Sequence, residues 1–145
     1  MFDATPLLRL YARWRNEQLR VRSPQEMQQQ QLRWLIDRAR NTTFGRMYDF
    51  SSISTIEEYQ KRVPLRKYEA FWEEFWKERF PTLTDCTWPG TIRFFPVSSG
   101  TSSGTTKYIP CSDDMLKSNT KAGIDLLVHH VTNRPKSELL GGKSF

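Results

Sequence analysis

The sequence predicts an α+β domain, mostly helical, with a β-hairpin carrying a Ser/Thr/Gly loop. Three observations carry this. Apolar residues recur at helical spacing in several long segments. Two short β-prone runs, Thr91–Val97 and Lys107–Pro110, flank a stretch of only Ser, Thr and Gly. Nine Phe, five Trp and five Tyr in 145 residues supply the core material that disordered chains lack.

The first helix is read over Leu7–Val21. Leu7, Leu10, Tyr11, Trp14 and, less cleanly, Leu19 and Val21 form its apolar stripe, and arginines fill much of the remainder. The break at Arg22-Ser23-Pro24 is followed by a second helix over Pro24–Arg40. Ser23-Pro24-Gln25-Glu26 has the form of a capping box with proline at the first helical position. Its inner face is expected to be Met27, Gln31, Leu32, Leu35, Ile36 and Ala39, and the glutamine run 28–31 an exposed face. Asn41-Thr42-Thr43-Phe44-Gly45 opens a connection. Thr55-Ile56-Glu57-Glu58 is another capping box, and its helix must end near Arg62 because Pro64 follows. Arg66–Phe80 reads as one helix with an aromatic core face: Tyr68, Phe71, Trp72, Phe75, Trp76 and Phe80.

After Pro81 the texture changes to the β-prone run, with Pro96 placing it near an edge or strand end. Asp113 to about Thr132 is the last helix, with Ser112 as cap and Asp113 and Asp114 suited to its first turn. Leu116, Ile124, Leu127, Val128 and Val131 mark its buried side. Leu139–Phe145 looks like the approach to a further strand, cut short.

The net charge is +6, with no block of Lys or Arg, so a solvated surface explains it better than an anionic polymer partner. Mean hydropathy is −0.66, and no apolar run approaches the ~20 residues a membrane helix needs. No secretory signal pattern opens the chain, so the expected compartment is cytoplasmic. Cys86 and Cys111 lack the spacing and companions of a zinc site and read as reduced thiols.

Chemistry is concentrated in Ser98, Ser99, Gly100, Thr101, Ser102, Ser103 and Gly104, with Thr105, Thr106 and Lys107 following. Glycines allow backbone to approach a ligand, consecutive N–H groups form an anion-binding concavity, and hydroxyls add donors without bulk. Lys107 adds a point charge suited to phosphate. The motif is not a Walker loop, because three residues separate Gly100 from Gly104 and Thr105 stands where that loop has lysine. The competing reading of such a composition is a flexible linker.

Ser98 through Pro110 resembles the phosphate-binding loop of the adenylate-forming superfamily. Asn41-Thr42-Thr43-Phe44-Gly45 through Tyr48, Tyr59–Leu65, and Tyr68-Glu69 are similar to the N-terminal region of the auxin-responsive Gretchen Hagen family of acyl-acid amido synthetases, in its bacterial branch. The resemblance covers roughly Gln31 to the end. It implies that residues 1–145 are an incomplete N-terminal portion of the large N-terminal domain of an adenylate-forming enzyme, helical over 1–80 and strand–loop–strand–helix over 91–145. It further implies ATP and Mg²⁺ as cofactors, a carboxylic acid and an amine or amino acid as substrates, and Ser98–Gly104 around the ATP phosphates with Lys107 nearby. Family members are several times longer, so the piece alone is not expected to catalyse; its cut sheet allows self-association. No catalytic or metal-binding residue can be named. The alternative reading is a non-catalytic basic helical module using Arg9, Arg13, Arg20, Arg33, Arg38 and Arg40.

Overall fold

A computed structural model describes residues 3–21, 23–98 and 106–142. The described residues are mostly helical, with two two-stranded antiparallel sheets. They fall into two compact units, one built from the two ends of the chain and the other from Pro24–Asp113.

In the first unit, helix α1 (Thr5–Arg20) packs on the last helix, numbered α6 below (Asp113–Asn133). The Asp3 carboxylate accepts from the Thr5 N–H (2.8 Å) and hydroxyl (2.5 Å), so α1 begins two residues earlier than its apolar stripe suggested. The expected stripe is not the buried face. Leu7, Leu10, Tyr11 and Trp14 are exposed, whereas Thr5 and Ala12 are buried, with Leu8 packed beside Ala12, Val128 and Val131. Small Ala12 admits the partner helix, and the same face lets Asn16 reach Thr132 (2.9 Å) and Arg15 reach Asp125. On α6, Val128 and Val131 are buried as expected, but Leu116 and Ile124 are exposed. The expected strand approach at Leu139 is a series of turns through Gly142, because Thr5 Oγ1 accepts from Leu140 N (2.9 Å) and Arg9 donates to the Ser137 carbonyl.

Arg15 grips Asp125 through two hydrogen bonds of 2.7 Å. Those bonds, aided by the charges of Arg15 and Lys121, hold the Asp125 carboxyl below the usual carboxylate range, against the opposing effect of burial. A folded-state value below the unfolded one means stability that is full above the ordinary carboxylate pKa of about 4 and lost as pH falls through the lowered folded value. Asp125→Asn should therefore cost about 1–2 kcal/mol at pH 7, the range of a partly covered charged hydrogen bond, and almost nothing at the acid end. Urea unfolding of both proteins at pH 7 and at successively lower pH measures how the difference closes.

In the second unit, α2 (Pro24–Ala39) buries Ile36 and Ala39, with Leu32 half-buried. This face is narrower than the one expected: Met27, Gln31 and Leu35 are exposed. The Asn41–Gly45 connection contains a short helix, α3 (Thr43–Met47), capped by Thr42 and followed by a 3₁₀ turn at Phe50–Ser52. Helix α4 (Ile56–Arg62) carries the expected capping box. Thr55 Oγ1 accepts from the Glu58 N–H (3.1 Å), and the Glu58 carboxylate accepts from the N–H of Thr55 (3.2 Å).

The segment read as one helix over Arg66–Phe80 is α-helical only over α5 (Tyr68–Phe71) and becomes π-helical over Trp72–Trp76. Its wider turn sets Lys77 N on the Trp72 carbonyl (2.8 Å) and stacks Phe71 on Trp76, five residues on, with centroids 5.2 Å apart. Phe75 is buried at the middle of the core.

Two hairpins follow. β1 (Leu83–Thr84) pairs antiparallel with β2 (Thr91–Ile92), and β3 (Val97–Ser98) with β4 (Lys107–Tyr108). The β-prone run 91–97 is thus divided between two sheets rather than forming one strand. The first hairpin also caps α3, because the carbonyls of Asp85 and Cys86 accept from the N–H groups of Thr43 (2.8 Å) and Phe44 (2.9 Å).

Candidate functional site

The second hairpin is the frame of the Ser/Thr/Gly run. Val97 faces Tyr108 and Ser98 faces Lys107, while Phe94 bridges Cys111 in the same register. The Pro96 carbonyl accepts from Ile109 N (3.0 Å) and the Phe94 carbonyl from Cys111 N (2.9 Å). Paired backbone therefore leads up to Ser98 and away from Lys107.

Strands this short do not hold themselves; side chains from the α5–π segment do. The Tyr68 hydroxyl accepts from Tyr108 N (2.9 Å) and donates to the Tyr108 carbonyl (3.3 Å), so one side chain satisfies both backbone groups of a strand residue. The Tyr108 ring stacks near Trp72 (6.0 Å) and against Phe80 (5.1 Å), and Phe80 meets Phe95 edge-on (5.1 Å). Lys107 Nζ lies 2.9 Å from Glu69 Oε1 and 5.1 Å from the centre of the Tyr68 ring. The Lys107 side chain is only 24% exposed, against 60% for Glu69, so the pair is half-open to solvent on the carboxylate side. The hydrogen bond from Lys107 holds the Glu69 carboxyl below the usual carboxylate range, with Glu69's own backbone N–H acting in the same direction.

Of the expected site residues, Ser98 stands exposed at the end of β3 and Lys107 at the start of β4, directly opposite. Ser99, Gly100, Thr101, Ser102, Ser103 and Gly104 lie outside the described residues. Sequence reasoning missed the roles of Tyr68 and Glu69. The signal was present, since Tyr68-Glu69 and Lys107-Tyr108 both belong to the motifs that carried the family resemblance, and in the fold these two dipeptides touch residue for residue.

Other polar clusters are accounted for locally. His130 meets the Ser137 hydroxyl (3.1 Å), Glu73 pairs with Lys77 (2.9 Å), and Glu74 with Arg66 (2.9 Å). Cys86 donates to the Phe75 carbonyl (3.2 Å), and burial pushes its thiol pKa up, the opposite of an activated nucleophile. Among the arginines of the basic-surface reading, Arg20 pairs with Glu17 (3.4 Å) and Arg40 with Asp37 (3.0 Å), which disperses the positive field. Among the described residues, no group of three or more His, Cys, Asp or Glu could hold a metal ion, and no helix is long and apolar enough to cross a membrane.

Comparison with known proteins gives one result. The family model described as GH3 family N-terminal domain matches residues 16–144, beginning earlier than the resemblance seen from Gln31. No curated protein and no solved structure matches the chain.

Proposed function

The chain belongs to the GH3 family, matched through its N-terminal domain, and from that premise we propose that it is the N-terminal portion of an enzyme that adenylates a carboxylic acid with ATP and transfers the acyl group to an amine or amino acid. GH3 proteins are adenylating amido ligases that use ATP. In this reading Ser98, Ser99, Gly100, Thr101, Ser102, Ser103 and Gly104 wrap the ATP phosphates and Lys107 stands at the loop's root. The single observation that supports it is the register of Ser98 opposite Lys107, which brings the two ends of the Ser/Thr/Gly run side by side.

The donor set fits the ligand. Hydroxyls and glycine-rich backbone amides offer many hydrogen bonds to phosphate oxygens and little that competes for the charge. Attack of the acid's carboxylate on the α-phosphorus, with pyrophosphate leaving, asks for positioned donors and cations more than for a protein nucleophile. Mg²⁺ would neutralise phosphate charge in that complex, held largely by the phosphates themselves. The test is ATP–pyrophosphate exchange by the full-length protein with a panel of carboxylic acids. Exchange that depends on one class of acid is expected. Its absence with every acid, while the protein remains folded, would overturn the reading.

A further inference from the structure

We infer that Tyr68 and Glu69 are positioning residues for ATP binding, acting through Tyr108 and Lys107 at the C-terminal root of the Ser/Thr/Gly loop. The inference rests on the adenylation reading and deepens it. The two strands are only two residues each, extended by the Pro96–Ile109 and Phe94–Cys111 backbone bonds, and an isolated two-stranded hairpin of that size is marginally stable by itself. A loop that holds a polyphosphate gains affinity when its ends are fixed before the ligand arrives.

The geometry supplies that fixing from outside the hairpin. Tyr68 Oη takes both backbone groups of Tyr108, at 2.9 and 3.3 Å. Glu69 holds the Lys107 ammonium at 2.9 Å, and the Tyr68 ring covers another side of it. Two adjacent residues of α5 thus clamp two adjacent residues of β4. Lys107 acts here as a tether. Its charge is already matched by a carboxylate, and a cation so paired contributes less to a phosphate than a free one would. This gives Lys107 a different task from the phosphate contact its motif position suggests, and makes Glu69 its working partner.

The experiment uses the full-length protein with Glu69→Gln, Lys107→Met, the two combined, the exchanged pair Glu69→Lys with Lys107→Glu, and Tyr68→Phe. Steady-state exchange kinetics should show KM for ATP raised about two- to fivefold by either single change, the range an exposed ion pair supplies, with kcat nearly unchanged. The double variant should be no worse than the singles, and the exchanged pair should return KM to within about twofold of wild type. Without nucleotide, amide hydrogen exchange at Tyr108 should accelerate in Tyr68→Phe. The inference is overturned if Glu69→Gln leaves KM for ATP unchanged while Lys107→Met abolishes activity and the exchanged pair does not recover, because Lys107 would then act on phosphate directly. It is equally overturned if Tyr108 exchange is the same in Tyr68→Phe and wild type. That arm needs no catalysis, so an inactive wild-type protein, which sinks the adenylation reading, still leaves the clamp decided.

Discussion

Gly45→Ala will lower the stability of the chain by about 3 kcal/mol, at the upper end of what overpacking costs. A Cβ at Gly45 would sit 2.1 Å from the Ala39 carbonyl oxygen, 2.9 Å from its carbon and 3.0 Å from the Arg40 carbonyl carbon. All three are backbone atoms at the end of α2, so no side chain can swing aside. The junction is also tied from both directions. Fully buried Thr42 donates its hydroxyl to the Ala39 carbonyl (2.7 Å), and that hydroxyl accepts from Gly45 N (2.9 Å). Next to it the Phe44 ring contacts Tyr48, Phe50, Phe71 and Phe75 at 4.9–5.7 Å, so prying α3 from α2 loosens the middle of the core. For a chain of this size the melting temperature should fall by roughly 10 °C. Gly123→Ala is the control of opposite sign. It lies inside α6 with nothing within 4 Å of the added methyl, and it should gain about 0.5–1 kcal/mol from helix propensity alone. If thermal unfolding shows Gly45→Ala within a degree of wild type, the close α2–α3 contact is wrong.

That junction also marks where the sequence was readable and where it was not. The Asn41–Gly45 motif stood out as a family feature but read only as a connection, because a five-residue helix has too few turns to show a period. Its tasks, a buried threonine cap and a glycine with no room for a methyl, depend on carbonyls of the preceding helix. The long helices were legible in extent, and the Thr55–Glu58 box in detail, since those signals are local. Burial was less so. In α1 the large residues Leu7, Leu10 and Trp14 suggested the inner face, but packing chose the face with small Ala12 and the polar groups that α6 could satisfy. The switch from α to π geometry at Trp72 was invisible, as an aromatic-rich face looks alike in either. At the candidate site, composition picked out the loop from Ser98 and its flanking strand. It did not show that Lys107 is held by Glu69, since 37 residues of chain lie between the two.

Removing the hydroxyls of Ser99 and Thr101 together should lower acid-dependent ATP–pyrophosphate exchange by the full-length protein at least about a hundredfold and leave its melting temperature within a degree. The first half follows from what positioned donors do. Removing one donor aimed at developing negative charge typically costs 10²–10³ in rate, because in a water-poor site nothing else takes its place. The second half follows from where the hairpin gets its stability. The described supports of β3 and β4 are the Tyr68 hydroxyl on Tyr108, the ring contacts among Trp72, Phe80, Phe95 and Tyr108, and the Glu69–Lys107 pair. Every one of these lies outside the loop. A linker carries no catalytic load, so the rival reading predicts unchanged rate and unchanged melting. A core loop predicts that both fall together. Only a ligand-holding loop mounted on an independently braced hairpin separates the two, with activity lost and the fold retained. Measuring exchange rate and thermal unfolding on the same double variant therefore distinguishes all three, and a drop of less than tenfold in exchange would remove the hydroxyls from the phosphate-binding role.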